Sequence, residues 1–471
     1  MQHIVTPSRR HPSERVLWMM LVMSAVCGTV TLSVSTWYRY LSAPTVISME
    51  RDYMAWNTSF PPITICPESK FDPDLVTQAV SELAEEFGAK NETALRAFVE
   101  GLAGATLMSL PDVPVVPDTH QHIPSHAFLR IIEKVSLPMN MTVVTGATDA
   151  ASHDPTLAPT LTEQGVCYSF NSLVAPYVSP RYWRLGEDAV KGRGGLLELN
   201  PLDGSVIAQL SGLPGQYQLF VHGPGEVPAL QSPFLTAPAG SLKRLELSTL
   251  AVLTAREVRD VTPQQRRCRF TDEPMTATTD TELAPRVPVY SYNLCRRSCR
   301  AALLLRACRC VPHLYGPMHN KHGVQVPMCE VRDFGCVTAN LGFASTMVNP
   351  DTGEPFPCHC LVNCDEDQYV IESDTNNNEW FLGTDLKWSL NKYPRMRLKR
   401  HLTFGVQDLL VHVGSLYGLF LGGSVLCIVE LVYFLTLRMY WHARATLLAQ
   451  DPKDPAGGWK GASAGPGAVA V

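Results

Sequence analysis

Gly418-Leu419-Phe420-Leu421-Gly422-Gly423-Ser424-Val425-Leu426-Cys427-Ile428-Val429-Glu430-Leu431 is an apolar stretch punctuated by glycine that carries one carboxylate. A membrane helix does not hold such features without a use for them. Each Gly weakens a helix by about 1 kcal/mol relative to Ala. An acid in hydrocarbon is costly and faces a polar path or a partner. Small residues, a backbone able to open and one acid together point to an ion pathway. A second reading stays open, because small side chains also let membrane helices approach closely.

Outward from this stretch, Leu409 to Leu437 is apolar, with His412 and Glu430 its only ionisable side chains apart from cysteine and tyrosine. Crossing a bilayer takes about 20 residues, so this run can tilt, or break midway, and still cross. Val16 to Tyr38 is a second apolar run without a charge. A signal peptide is the competing reading, but the run is long for one and no small-residue cleavage site follows closely. Arg9, Arg10 and Arg15 precede it and favour a cytoplasmic N-terminus. The rule is ambiguous for the later run, with Arg395, Arg397, Lys399 and Arg400 before it and Arg438, His442 and Arg444 after it.

Cysteine usage decides the topology. Of fourteen cysteines, Cys27 and Cys427 lie inside the apolar runs and the rest lie between them. A dense, even set of this kind reads as a disulfide framework in an oxidising compartment. Glycosylation sequons at Asn57, Asn91 and Asn140 fall on the same side. The expected layout is a cytoplasmic segment 1–15, a first span 16–39, an extracellular domain 40–408, a second span 409–437 and a cytoplasmic tail 438–471, partly disordered. The 471 residues carry a net charge of −5 with 18% charged side chains, so the basic surplus of a nucleic-acid binder is missing.

Inside the ectodomain, Phe60 to Cys66 is a β-type run ending in cysteine. Residues 72–103 have helical spacing at Leu75, Val80, Leu83, Phe87, Leu95, Phe98 and Leu102. Residues 110–160, rich in Pro, Thr and His, read as loop. Residues 165–262 alternate short β-type runs with Pro/Gly turns. Residues 290–306 are helical again, and Leu386 to Leu390 alternates like a strand leading towards the second span. Cys295 and Cys299 share one helix face, while Cys358 and Cys360 share one face of an extended segment, which allows two neighbouring bridges. Cys308 and Cys310 repeat the two-residue spacing, with Cys329 and Cys336 downstream. Zinc ligation by these pairs is the alternative. His120, His122 and His126 are either solvated loop histidines or a metal- or proton-sensing cluster.

These motifs together resemble the degenerin/epithelial sodium channel family, close to its arthropod pickpocket branch. The resemblance is carried by Phe60-Pro61-Pro62-Ile63-Thr64-Ile65-Cys66, Gly165-Val166-Cys167-Tyr168-Ser169-Phe170-Asn171 and Arg266-Arg267-Cys268-Arg269-Phe270 with Asp272-Glu273. It continues through Cys295-x3-Cys299, Cys308-x-Cys310, Cys358-x-Cys360-x3-Cys364 and the Gly-Gly-Ser segment, from residue 60 to 437. It implies a membrane protein with two transmembrane helices flanking a disulfide-rich α+β ectodomain of clenched-hand form, with palm, thumb and finger modules, assembled as a homo- or heterotrimer. The thumb, about 290–365, would carry the cysteine ladder, and the implied bridges are Cys268–Cys364, Cys295–Cys360, Cys299–Cys358, Cys308–Cys336 and Cys310–Cys329. Cys66 and Cys167 remain as the last pair.

The resemblance also implies a site. Gly422, Gly423 and Ser424 would form the selectivity filter, their oxygens replacing the water shell of a permeant Na+ without a fixed charge that traps it. Val411 would line the outer pore near the gate, with His412 and Gly418 beside the pathway. Glu430 would face the inner vestibule or a neighbouring helix, or stand as a protonated structural acid. The expected function is a sodium-permeable, amiloride-sensitive cation channel subunit in the plasma membrane, gated by an extracellular ligand, protons or force. Partners are related subunits, membrane lipid and an unknown ligand; neither cofactor, resident metal nor catalytic constellation is expected. Departures from the family are His412 at an outer-pore acid position, Tyr433 at an inner one, and no His-Gly motif before Val16. The last raises the alternative of a non-conducting or obligately heteromeric subunit.

Overall fold

The computed structural model describes residues 12–42, 44–116, 123–139, 144–145, 157–191, 195–203, 206–275, 282–348 and 352–449. The chain divides into two units: residues 1–44 with 404–471, and Thr45–Thr403. Asn140, His120, His122 and the tail beyond Ala449 lie outside the described residues.

In the Thr45–Thr403 unit, the main strands are β1 Thr45–Glu50, β2 Ile63–Pro67, β3 Val144–Thr145, β4 Ala158–Thr162, β5 Gly165–Phe170, β6 Ile207–Leu210, β7 Tyr217–Val221, β8 Leu235–Ala237, β9 Leu242–Thr254, β10 Glu366–Asn377, β11 Asp385–Lys392 and β12 Arg397–Leu402. A seven-stranded sheet has the order β1-β12-β9-β11-β6-β3, with β10 also paired to β9. A five-stranded sheet has the order β8-β7-β2-β5-β4. The period-two pattern of β11 buries Leu386, Trp388 and Leu390. Trp388 joins the two sheets: its ring packs on Phe60 and Phe170, at 5.9 and 5.5 Å between centroids, and its indole N–H donates to the Pro61 carbonyl (3.2 Å). The Leu386–Leu390 alternation does not run directly into the second apolar stretch, because β12 intervenes and pairs with β1.

Helices α1 Pro12–Ser42, α2 Pro73–Phe87, α3 Glu92–Gly104, α4 Phe128–Val135, α5 Tyr292–Cys308, α6 Val406–Leu421 and α7 Val425–Tyr433 complete the frame used below. The helical spacing over 72–103 is carried by two helices. Asp72 caps α2, Gly88 ends it in the left-handed region (φ 65°), and Asn91 caps α3 through its side chain. Residues 110–160 are not all loop either. Phe128, Ile131, Ile132 and Val135 are buried along one face of α4, an i, i+3, i+4, i+7 stripe short enough to be masked by the flanking prolines. His126 lies in the turn Ser125–Ala127 that leads into this helix.

Ser291 caps α5, and Glu226 fixes the same end by accepting from Ser291 Oγ (2.5 Å) and from the Tyr292 and Asn293 N–H groups (both 3.1 Å). Cys295 and Cys299 on α5 bond to Cys360 and Cys358, which lie in an irregular extended segment, not a strand. Cys308–Cys336, Cys310–Cys329, Cys268–Cys364 and Cys66–Cys167 are also bonded. Zinc ligation by Cys308, Cys310, Cys358 or Cys360 is thereby ruled out. The core beneath α5 holds a closed ion pair. Arg300 donates to both Glu163 oxygens (2.7 and 2.8 Å), which also accept from Tyr315 Oη (2.9 Å) and the Leu230 N–H (2.6 Å).

In the other unit, α1 is long and apolar enough to cross a membrane. It runs from Pro12 to Ser42, past both ends of the expected 16–39 span, so Arg15 is helical too. Helix α6 is apolar but shorter. It packs on α1 where Gly28 admits the Phe420 ring, 3.3 Å from the place of a Cβ.

Candidate ion-conducting segment

Helix α6 starts where Asp408 accepts from the Gly405 N–H (2.9 Å) and stops at Leu421. Gly422 caps it with φ 63° and ψ 18°, a conformation that disfavours a Cβ, and its N–H donates to the Gly418 carbonyl (3.0 Å). Gly423 is required for a different reason. A Cβ there would lie 2.1 Å from the Tyr417 ring. Ser424 then starts α7, its Oγ accepting from the Cys427 N–H (3.4 Å). Two glycines and a capping serine thus open a helix break of three residues inside the apolar run. A helix end leaves carbonyls without intrahelical partners, and these are the ligands a dehydrating cation needs.

The break brings together Gly418, Gly422, Gly423 and Ser424. Val411 and His412 sit on α6, with Val411 eleven residues before Gly422, about 16 Å along the helix. Val411 is 66% exposed on the single chain. His412 stacks on Phe404, with centroids 4.9 Å apart and 26° between planes, and Arg39 lies 5.8 Å from the same ring. His412 therefore has an aromatic partner at the start of α6. Glu430 lies on α7, beyond the break, with its side chain exposed on the single chain. Helix α7 passes into a π-helical turn, Phe434–Arg438.

Tyr417 carries no signal in the sequence, since an aromatic in an apolar run reads as lipid- or core-facing; only its contact with Gly423 reveals it. Close packing at a small residue is seen where Gly28 meets Phe420. Nothing lies within 4 Å of a Cβ at Gly422. Among the described residues no group of three or more His, Cys, Asp or Glu is placed to hold a metal ion. Asn57 and Asn91 are exposed on the Thr45–Thr403 unit.

An apolar helix long enough to cross a membrane, a broken apolar helix packed against it and a disulfide-stapled unit that lies between them in the sequence fit a membrane protein. A family model described as amiloride-sensitive sodium channel matches residues 1–434, and the chain belongs to that family of ion channels. Pickpocket protein 28 of Drosophila melanogaster is 26% identical over 254 residues, covering 48% of this chain and 39% of that protein. Sodium channel protein Nach of Drosophila melanogaster is 25% identical over 211 residues, 40% of this chain and 36% of that protein. The chain thus spans well under half the length of these two relatives. The bile acid-sensitive ion channel of Rattus norvegicus is 22% identical over 462 residues, 91% of this chain and 83% of that protein.

Proposed function

We propose that the chain is a subunit of a sodium-permeable, amiloride-sensitive trimeric cation channel of the plasma membrane, opened by a stimulus acting on its extracellular domain. The observation that carries this reading is the helix break at Gly422–Ser424, which leaves backbone oxygens in an otherwise apolar segment. In this reading α6 and α7 together form the second span, and both chain ends are cytoplasmic. Three copies of the break ring an axis; the Gly422 and Gly423 carbonyls and Ser424 Oγ strip water from Na+. Glu430 keeps the inner side electronegative, Val411 lines the outer pore, and Asn57, Asn91 and Asn140 carry glycans. A ligand is the favoured stimulus, given the size of the ectodomain and a relative named for its sensitivity to bile acid.

The test is whole-cell current from the chain expressed alone, with external sodium exchanged for a large organic cation and amiloride added. A sodium-carried, amiloride-blocked current is expected, and a thiol reagent on Ser424→Cys should reduce it. Surface expression without any current, across pH, stretch and candidate ligands, would reject an autonomous channel.

A further inference from the structure

A cavity of about 640 Å³ opens in the Thr45–Thr403 unit, within the usual size range of a small-ligand site. Leu173, Tyr177 and Leu253 supply apolar wall. Strand alternation supplies the polar wall. Asp367 stands opposite Ala251 in the β9–β10 register, period two puts Asp367 and Tyr369 on one face, and Asp365, in the bend just before the strand, also lines the cavity. Tyr369 Oη donates to the Ser59 carbonyl (2.8 Å), and Ser59 is paired in register with Glu198. Asp365, Asp367 and Glu198 therefore converge on one side.

The charges do not balance there. Both arginines of the wall are engaged: Arg259 by Asp272 (3.1 and 2.8 Å) and Arg397 by Glu50 (2.9 Å). Asp365 accepts from the Thr254 N–H (2.7 Å). Neither Asp367 nor Glu198 has an ion pair among the described residues. An independent sign comes from Ser59, another wall residue. It is only 7% exposed, and its hydroxyl has no hydrogen-bond partner among the described residues.

We propose that this cavity binds a small organic cation, an amine or guanidinium on an apolar body. Its charged end meets Asp367 and Glu198, and its body lies on Leu173, Tyr177 and Leu253. The proposal deepens the ligand-gating reading and rests on it for its consequence, not for its test. Burial, then the neighbouring Asp365, Glu198 and Glu366, push Asp367 up to about 6. The cation needs the ionised carboxylate, so binding is full above that pH and fades below it.

Saturation-transfer NMR on the purified full chain in detergent tests it, with phenethylamine as probe and phenethyl alcohol as its uncharged counterpart. Phenethylamine is expected to bind at pH 7.5. It should bind about tenfold or more weakly at pH 5, and in the Asp367→Asn/Glu198→Gln variant, as loss of a charge-assisted contact implies. Leu253→Trp, which fills the cavity and leaves the charges alone, should also abolish binding; unchanged thermal unfolding shows that each variant is folded. Equal binding of amine and alcohol, or variants that bind like the wild type, would overturn the proposal. Amine binding without any current would leave the site standing and sink the autonomous channel; current without amine binding would sink the site and leave the channel standing.

Discussion

Gly422 and Gly423 break the same helix for separate reasons, and the difference is measurable. Gly422 is held in the left-handed region, which Asn tolerates better than other side chains; Gly423 is held open by the Tyr417 ring. Gly423→Ala forces an overpacked contact costing about 1–3 kcal/mol, so current at equal surface expression should fall about tenfold. Removing the ring in Gly423→Ala/Tyr417→Ala should restore much of it, as coupled neighbours require. Equal losses in the single and double variants would disconnect Tyr417 from the break. His313 offers a second residue-scale test. It is fully buried against Phe128 and Phe334, and burial pushes it down to about 3. The folded ring stays neutral while the unfolded one takes up a proton near pH 6.5. Stability is therefore full above about 6.5 and falls towards pH 3, at up to about 1.4 kcal/mol per pH unit. His222, pushed down to about 4 by burial, acts in the same direction. Thermal unfolding at pH 7 and pH 5 should show a smaller drop for His313→Phe than for the wild type.

Among the elements, α3 depends on Asn91, whose side chain accepts from the Ala94 N–H at 3.1 Å. The same residue opens a sequon. Asn91→Ala should remove one glycan, seen as a gel shift, and cost about 1 kcal/mol of cap; a glycan shift without any change in unfolding would reject the capping role. Helix α5 is held by two bridges on one face. Replacing Cys295 and Cys360 by Ala should cost about 2–5 kcal/mol, read as a lower unfolding temperature under non-reducing conditions. Most of these elements were legible in the sequence where the apolar period was long or the chemistry local: α5, β11, the Gly-Gly-Ser break and the cysteine segments. The division between α2 and α3 was less so, because Leu83, Phe87 and Leu95 keep a helical spacing across a turn that Gly88 and Asn91 terminate by backbone geometry. Helix α4 was hidden because its eight residues sit between prolines, where propensity argues for loop and only burial against α2 and α3 argues for helix.

For the whole molecule, the sequence held the two apolar runs and the cysteine-rich unit between them, and the family match extends over residues 1–434. It did not hold the cavity, since Asp367, Glu198 and Ser59 are far apart in sequence and meet only through the β9–β10 register and the Thr58–Leu199 pairing. Likewise, β1 and β12 come from opposite ends of the Thr45–Thr403 unit, yet Thr45 stands opposite Leu402 and Glu50 opposite Arg397 in one antiparallel ladder. That register has a mechanical meaning. A tug that separates the unit's two chain ends loads the ladder one rung at a time from Thr45, as a zipper is drawn, and not all rungs at once as in shear. The peeling meets its catch at the far rung, where Glu50 is clasped by Arg397 at 2.9 Å and Lys399 at 2.8 Å. Tension on the ends is thus met first by a soft seam and then by a charged latch, and Glu50→Gln would leave the seam without its stop.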